Sequence, residues 1–257
     1  MQLQTTFKNR RAVLISGGIS SFQNYARYLN DLTAFYTCLV SSRYSFATTD
    51  IQVLYANGGV YDMGGHQVTT TVANRANVLA ALHKAVKRLG SEDLLVLFTT
   101  NHGDATIPHR LNLWTPSEYL EAPDLGAELA KSSDYFCLGI FGHCFGAKMI
   151  NQVTANTTAG KGVGVAASKT ASHLLPPDGA YDAFLHHFTA ALALETPSGY
   201  PAAADAKKDG HIDIQEAYDF AHAMNKKQKI TDQPDLHDNA ATPLDLAAKL
   251  TLEGILP

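Results

Sequence analysis

Residues 135–144 read YFCLGIFGHC, in which seven apolar residues lead to glycine, histidine and Cys144. Residues 94–103 read LLVLFTTNHG, a second apolar run that leads through polar residues to His102. Short apolar runs that end in small or polar residues are typical of strands buried on both faces of a parallel sheet. The sequence therefore predicts two buried strands, one ending at a cysteine and the other at a histidine.

Outside these two runs, short apolar stretches alternate with segments in which apolar residues recur every three or four positions. The first pattern predicts strands, and the second predicts helices with one buried face. Predicted strands cover residues 12–15, 51–55, 94–98, 135–141 and 163–167, and predicted helices cover residues 25–39, 72–89, 147–153 and 183–194. This alternation predicts an α/β fold in which a mostly parallel sheet lies between two layers of helices. The aspartate-rich segment 231–242 lacks the His-x-x-x-His spacing of a metal site and is predicted to be solvated.

The composition is that of a globular protein with a full core. The chain has 257 residues, of which 46% are hydrophobic and 17% are charged, which predicts a single domain over residues 1–257. Its net charge of −4 gives no electrostatic reason to expect nucleic acid or an anionic membrane as a partner. Three cysteines without Cys-x-x-Cys spacing favour reduced thiols over a disulfide scaffold or a cysteine zinc site.

The N-terminal segment, residues 1–11, is polar and basic and lacks the apolar core of a signal peptide. No apolar stretch of the chain is long enough to span a bilayer as a helix. These features predict a soluble, cytoplasmic protein, or a secreted one if a leader segment has been removed. The oligomeric state is left open by the sequence.

Cys144 and His102 each follow the carboxyl end of a predicted strand, which is the edge where α/β sheets bind ligands. The 42 positions between them allow the crossover that adjacent parallel strands require. Because a thiol is a useful nucleophile only as the thiolate, a neighbouring imidazole base would activate it. The backbone N–H groups of Gly103 and Cys144 are candidate donors to a tetrahedral oxyanion. The alternative is that Cys144 is a small buried apolar residue and His102 a loop residue.

The order strand-Thr-Asn-His-Gly-Asp followed by strand-Gly-His-Cys-Phe-Gly resembles the legumain (C13) branch of the caspase-like, clan CD cysteine peptidases, and its bacterial members in particular. The segment 24–32 also resembles their first helix. The resemblance implies a three-layer α/β/α caspase-like fold and a peptide or protein substrate. It implies that His102 is the catalytic histidine, Cys144 the nucleophile and Gly103 an oxyanion donor. It also implies that Arg27 lies in a substrate pocket and that Ser168 belongs to a substrate-holding loop.

Three residues depart from the legumain pattern or complicate it. Gly142 stands where legumain carries an acid that shapes its asparagine pocket, so asparaginyl specificity is not expected. Asn101 replaces the aspartate before the histidine, which favours hydrolysis over ligation. His143 is either a substrate-pocket residue or a rival base, and the alternation of side chains along a strand favours packing away from the site.

The segment 205–216 reads DAKKDGHIDIQE and resembles an EF-hand calcium loop. Its candidate ligands are Asp205, Asp209, His211 through its carbonyl group, Asp213 and Glu216. Lys207, however, occupies the third position, where an oxygen ligand is expected. The alternative is a turn at residues 209–210 followed by a helix whose first turn is capped by Asp213 and Glu216. Both interpretations stay open at this point.

Taken together, these patterns predict a cysteine endopeptidase that works through a Cys–His dyad. Cys144 attacks the peptide carbonyl to form a thioester acyl-enzyme, while His102 protonates the leaving amine and then activates water. This chemistry requires no cofactor, and Ca²⁺ is suggested only by the loop at 205–216. The rival hypothesis is a catalytically silent caspase-like binding or regulatory module that responds to calcium.

Overall fold

The computed structural model describes residues 3–106, 109–132 and 134–257. Its strands are β1 (Thr5–Thr6), β2 (Arg10–Ser16), β3 (Ile51–Tyr55), β4 (Gly59–Met63), β5 (His66–Thr70), β6 (Leu94–Asn101), β7 (Gly103–Asp104), β8 (Arg110–Asn112), β9 (Tyr119–Glu121), β10 (Phe136–His143), β11 (Gly162–Ala166), β12 (Asp235–Asp238) and β13 (Gly254–Ile255). The α-helices are α1 (Ala26–Val40), α2 (Arg75–Val86), α3 (Ala122–Leu129), α4 (Ala147–Asn156), α5 (Ala183–Ala193) and α6 (Ile214–Lys227).

Six strands form a central sheet in the order β12-β11-β10-β6-β2-β3. The five strands from β11 to β3 are parallel, and β12 joins the edge antiparallel to β11. All eight residues of β6 are buried, which explains why this strand reads as a continuous apolar run rather than an alternating one. The predicted mostly parallel sheet is confirmed.

Alternate residues of the sheet face two separate hydrophobic clusters. Val96 and Phe98 of β6 pack with apolar residues of α1, α5 and α6, whereas Leu95 and Leu97 pack with apolar residues of α2, α3 and α4. This division follows from the two-residue period of a strand, which sends successive side chains to opposite faces. The result is the predicted arrangement of a sheet between two helical layers.

The pairing of β6 with β10 positions the two residues that follow these strands. Their register runs from Phe136 opposite Leu94 to His143 opposite Asn101. Cys144 and His102 therefore leave neighbouring strands at the same level, at the carboxyl edge of the sheet.

Several elements differ from the predictions. Helix α2 begins at Arg75 rather than near residue 72, because the Asn74 side chain accepts the N–H of Asn77 at 2.9 Å and caps the first turn. The hairpin β4–β5, the small sheet β7–β8–β9 and helix α3 were not predicted.

The segment 231–242 is only partly solvated, as its burial is mixed: residues 232, 234 and 236 are buried, whereas residues 231, 233, 237, 241 and 242 are exposed. This segment contains β12, and the carboxylate of Asp238 accepts backbone N–H groups from Ala240, Leu244 and Ala247 at 2.8–3.3 Å. Aspartate-rich composition therefore marks a hydrogen-bonded structure here. None of the helices within the described ranges is both long and apolar enough to cross a lipid bilayer.

Candidate active site

A cavity of about 50 Å³ lies at the carboxyl ends of β6 and β10. Its walls are formed by Arg27, Tyr28, Asn101, His102, Gly142, Cys144, Ser172, Leu174 and Asp182. Cys144 is partly exposed, while Cys38 and Cys137 are buried, and burial raises the pKa of both of those thiols to about 12. Of the three thiols, Cys144 is the one placed to react with a molecule from solvent.

His102 is held by a backbone carbonyl and two aromatic rings. Its Nε2 lies 3.1 Å from the carbonyl oxygen of Gln23, and the edges of Tyr25 and Tyr28 pack against its ring with centroid separations of 5.4 Å. Because a carbonyl oxygen can only accept, Nε2 carries the proton and Nδ1 keeps its lone pair. Burial lowers the pKa of His102, against the opposing effect of the Gln23 carbonyl, so the ring is neutral at neutral pH and can act as a base.

Cys144 Sγ contacts the segment that follows β11. The backbone N–H of Ser172 donates to its Sγ at 3.4 Å, and the Ser172 hydroxyl lies 3.8 Å from the same sulfur. The chain then turns at Phe145, whose φ of 60° is left-handed, and α4 begins at Ala147.

Gly103 and Gly142 allow the two strand ends to approach their neighbours. A Cβ atom at Gly103 would lie 1.9 Å from the carbonyl oxygen of Cys144, so no side chain fits there. A Cβ atom at Gly142 would lie 2.0 Å from the Leu185 side chain. Leu185 therefore fills the space in which the legumain acid would stand. The role of Gly103 as an oxyanion donor stays a prediction.

His143 and Ser168 do not line the cavity. His143 is buried, its Nδ1–H donates to the carbonyl oxygen of Cys144 at 3.0 Å, and burial lowers its pKa to about 4. Ser168 is also buried, and its hydroxyl oxygen accepts the N–H groups of Thr170 and Gln233 at 3.2 and 3.3 Å. The structure thus brings neither side chain to the thiol, although their roles in substrate binding stay predictions.

Arg27 contributes a cation to the cavity wall. Its guanidinium group packs 4.3 Å from the ring centroid of Tyr25 and 4.5 Å from that of Tyr28, and it donates to the Tyr28 hydroxyl at 2.9 Å. These contacts fix an arginine that would otherwise extend into solvent. Arg27 lines the same cavity as Cys144 and His102, and its role in a substrate pocket stays a prediction.

A buried pair of carboxyl groups, Asp31 and Asp182, lies next to Arg27. The backbone N–H of Asp182 and the hydroxyl of Thr100 donate to Asp31 at 3.1 and 2.7 Å, and Asp182 caps α5 by accepting the N–H of Leu185 at 3.0 Å. Burial, reinforced by the neighbouring Asp182 carboxyl, raises the pKa of Asp31 well above its usual range. Burial and the nearby Asp232 raise that of Asp182 to about 7.

Sequence reasoning missed three contributors to the cavity. Gln23 acts through its backbone carbonyl, which leaves no trace in residue type. Ser172 lies in a segment without periodicity. Asp182 did leave a signal, because an aspartate directly before an apolar helical run is typical of an N-cap.

The loop at 205–216 has the geometry of the turn-and-cap interpretation. Asp213 caps α6 and forms a reciprocal capping box with Glu216. The ammonium group of Lys207 contacts the Asp213 carboxylate and donates to the carbonyl oxygen of Ala248 at 2.8 Å. Asp205 accepts the N–H groups of residues 209 and 210 at 3.1 and 3.0 Å. A lysine cation therefore lies where calcium was predicted.

The His211 ring faces Glu253, with Nδ1 and Oε2 3.0 Å apart, and the backbone N–H of His211 donates to the Asp209 carboxylate at 3.0 Å. Within residues 3–106, 109–132 and 134–257, no group of three or more His, Cys, Asp or Glu side chains is arranged to hold a metal ion. Calcium binding stays a prediction, with a lysine in place of one ligand.

The sequence matches no known protein-family model and no curated protein. Several solved structures are similar, and two of them match nearly the whole chain. A structural-genomics target protein from Geobacter sulfurreducens has a TM-score of 0.56 at 15% identity, with 97% of this chain and 100% of that chain covered. Caspase-1 from Spodoptera frugiperda has a TM-score of 0.55 at 9% identity, with 98% of this chain and 92% of that chain covered. The chain has a caspase-like fold, as predicted.

Proposed function

We propose that this protein is a cysteine endopeptidase of the legumain branch of the caspase-like fold, close to its bacterial members. One observation carries the proposal: an accessible thiol and a neutral imidazole follow paired residues of adjacent strands and line the same cavity. The likeness to caspase-1 supports it at the level of the fold. If Cys144 were only a core residue and His102 only a loop residue, nothing would require both side chains to line one cavity.

The chemistry follows from the tautomer of His102. With Nε2–H held by Gln23, Nδ1 accepts the thiol proton as Cys144 Sγ attacks the substrate carbonyl carbon. The oxyanion that forms is stabilised by backbone N–H groups, for which Gly103 and Cys144 are the candidates. His102 then gives the proton to the leaving amine, which leaves a thioester on Cys144. Water, deprotonated by His102, hydrolyses the thioester and restores the thiol.

The cavity lining favours a small polar side chain at P1, the substrate residue before the cleaved bond. Arg27 offers guanidinium donors, and Asp182 offers a carboxyl group whose pKa of about 7 leaves it partly protonated near neutral pH. A carboxamide or carboxylate could pair with both groups. The small size of the cavity also favours a compact side chain.

Labelling by an acyloxymethyl ketone peptide probe tests the dyad. Cys144→Ala should abolish labelling and His102→Ala should reduce it by about 10²-fold or more. His66→Ala, which removes a histidine from the distant hairpin β4–β5, is the matched control and should label as the wild type does. Circular dichroism checks that each variant folds.

A peptide library, assayed with and without calcium, tests turnover. Cleavage that is lost in Cys144→Ala supports the endopeptidase and gives the P1 preference. Equal labelling of wild type and Cys144→Ala would refute the nucleophile. Calcium binding without turnover of any library member would favour the catalytically silent module instead.

A further inference from the structure

Large apolar side chains are exposed at five positions among the described residues: Phe22, Tyr25, Val60, Leu174 and Tyr200. Three of these surround the candidate active site. Leu174 lines the cavity, Tyr25 packs against His102, and Phe22 directly precedes Gln23, whose carbonyl holds His102. Single exposed apolar residues are ordinary on a protein surface, but a cluster beside a reactive thiol is typical of a binding surface.

Phe22 is 93% exposed on a turn that is anchored on both sides. The N–H groups of Gln23 and Asn24 both donate to the carbonyl oxygen of Ser20, at 3.1 and 2.9 Å. The Asn24 amide also donates to the Tyr55 hydroxyl at 2.9 Å. The ring is therefore held out into water by a fixed backbone and is not exposed through local fraying.

Leu174 is 45% exposed and equally well anchored. It forms a bridge with Asp182, and the flanking N–H of Leu175 donates to the Tyr181 carbonyl at 2.9 Å. His173, on its other side, pairs with the buried Asp232. Leu174 thus stands on the thiol side of the site, two residues after Ser172, while Phe22 stands on the histidine side.

We propose that Phe22 and Leu174 form an apolar rim that binds apolar substrate side chains next to the cleaved bond. The substrate class is then a peptide with a small polar P1 residue flanked by apolar residues. The cavity is lined mostly by polar groups, so affinity for the apolar side chains of a peptide must come from outside it. This inference rests on the proposed peptidase function and extends it to specificity.

Two sets of internally quenched peptides test the apolar rim. Both sets are randomised at P1. One set carries leucine at P2, the residue before P1, and at P1′, the residue after the cleaved bond. The other set carries serine at these two positions. The wild type should cleave the leucine set with a kcat/KM about tenfold higher, as expected from burying one or two apolar side chains. Phe22→Ser and Leu174→Ser should each raise KM for the leucine set several-fold more than KM for the serine set, so that the ratio of the two kcat/KM values falls.

Val60→Ser and Tyr200→Ser are the matched controls, because they remove exposed apolar side chains that do not line the cavity. They should leave both peptide sets unaffected. The inference is overturned if Phe22→Ser and Leu174→Ser behave like these controls. It is also overturned if Phe22→Ser abolishes self-association in sedimentation experiments while cleavage is unchanged, since the surface would then join two copies of the chain.

Binding to the Cys144→Ala variant separates failure of this inference from failure of the peptidase proposal. Fluorescence anisotropy measures its affinity for a labelled peptide from each set. Suppose that the wild type cleaves neither set, but the leucine peptide binds more tightly than the serine peptide and Phe22→Ser removes this difference. The peptidase proposal is then refuted, while binding of apolar side chains by the apolar rim is supported. If the leucine peptide is neither cleaved nor bound more tightly than the serine peptide, the apolar rim falls as well.

Discussion

The neighbours of His102 decide which ring nitrogen carries the proton and keep the ring neutral. The Gln23 carbonyl fixes the proton on Nε2, and the surrounding Tyr25 and Tyr28 rings remove water from the imidazole. Burial is the larger influence and lowers the pKa of His102, while the carbonyl opposes it. Burial keeps the ring neutral, and the Gln23 carbonyl keeps its single proton on Nε2. Nδ1 is therefore available to accept the thiol proton at neutral pH.

The rate of labelling by the acyloxymethyl ketone should therefore rise with pH along a curve with its midpoint below about 6.5, the ordinary histidine value. Below that midpoint His102 is protonated and cannot accept the thiol proton. The midpoint is measured by labelling the protein for a fixed time at a series of pH values from acidic to neutral. A midpoint at or above neutrality would contradict the assignment of His102 as the base, and His102→Gln should lack this limb of the profile.

His143, next to Cys144, is a buried neutral histidine that should lower the stability of the fold at low pH. Its pKa is about 4 in the folded protein because burial disfavours the charged ring, whereas the unfolded chain binds the proton with a pKa near 6.5. Acidification from 6.5 towards 4 therefore favours the unfolded state. At pH 5 the loss amounts to roughly 2 kcal/mol.

His143→Gln should remove this loss. The free energy of unfolding of the wild type should fall between pH 7 and pH 5 by roughly 2 kcal/mol more than that of the variant. Urea unfolding of both proteins at the two pH values gives the difference. Asp31, Asp182 and His186 also titrate, but they are present in both proteins and cancel. An equal fall in both proteins would show that His143 is accessible to protons in the folded state.

The start of helix α6 depends on an ion pair. Asp213 is the N-cap of the helix, its side chain is fully buried, and Lys207 supplies the cation beside it. Burial raises the pKa of Asp213 to about 6 even though Lys207 acts to lower it. The lysine therefore stabilises a carboxylate that would otherwise stand uncompensated in the protein interior.

Lys207→Met should reduce the free energy of unfolding at neutral pH by about 1–3 kcal/mol, allowing for the partial exposure of the lysine. The deficit should shrink below pH 6, where Asp213 becomes protonated. Adding Asp213→Asn should recover part of the loss, because asparagine still caps the helix. Lys208→Met is the control and should have no effect, and a loss equal to that of Lys207→Met would contradict the ion-pair explanation.

Among the elements, those with a repeating apolar pattern could be predicted from the sequence. The apolar pattern that predicts each of these elements lies within a few neighbouring residues of the chain. This holds for the five parallel strands and for helices α1, α2, α4 and α5. The hairpin β4–β5 lacks such a signal because most of its residues are exposed. Edge strand β12 was missed because its stabilising contacts come from distant residues of β11.

At the scale of the whole molecule, the single domain predicted over residues 1–257 can be tested with one natural probe. Trp114 is the only tryptophan, and it packs against both hydrophobic clusters, one on each face of the sheet. Its fluorescence and the far-ultraviolet circular dichroism should therefore give the same unfolding midpoint in urea. Separate midpoints would show that the two faces unfold as independent units.

The sequence by itself determined the layered architecture and the edge of the sheet where the cysteine and the histidine emerge. It could do so because strand burial, helical period and the ends of strands are encoded by residues close together in the chain. Only the tertiary structure decided the tautomer of His102, the Asp31–Asp182 pair and the presence of Leu185 behind Gly142. His102 and Gln23 are 79 positions apart in the sequence, and Asp31 and Asp182 are 151 positions apart. Residue types do not specify such distant partners, because many folds of the same local pattern would pair them differently.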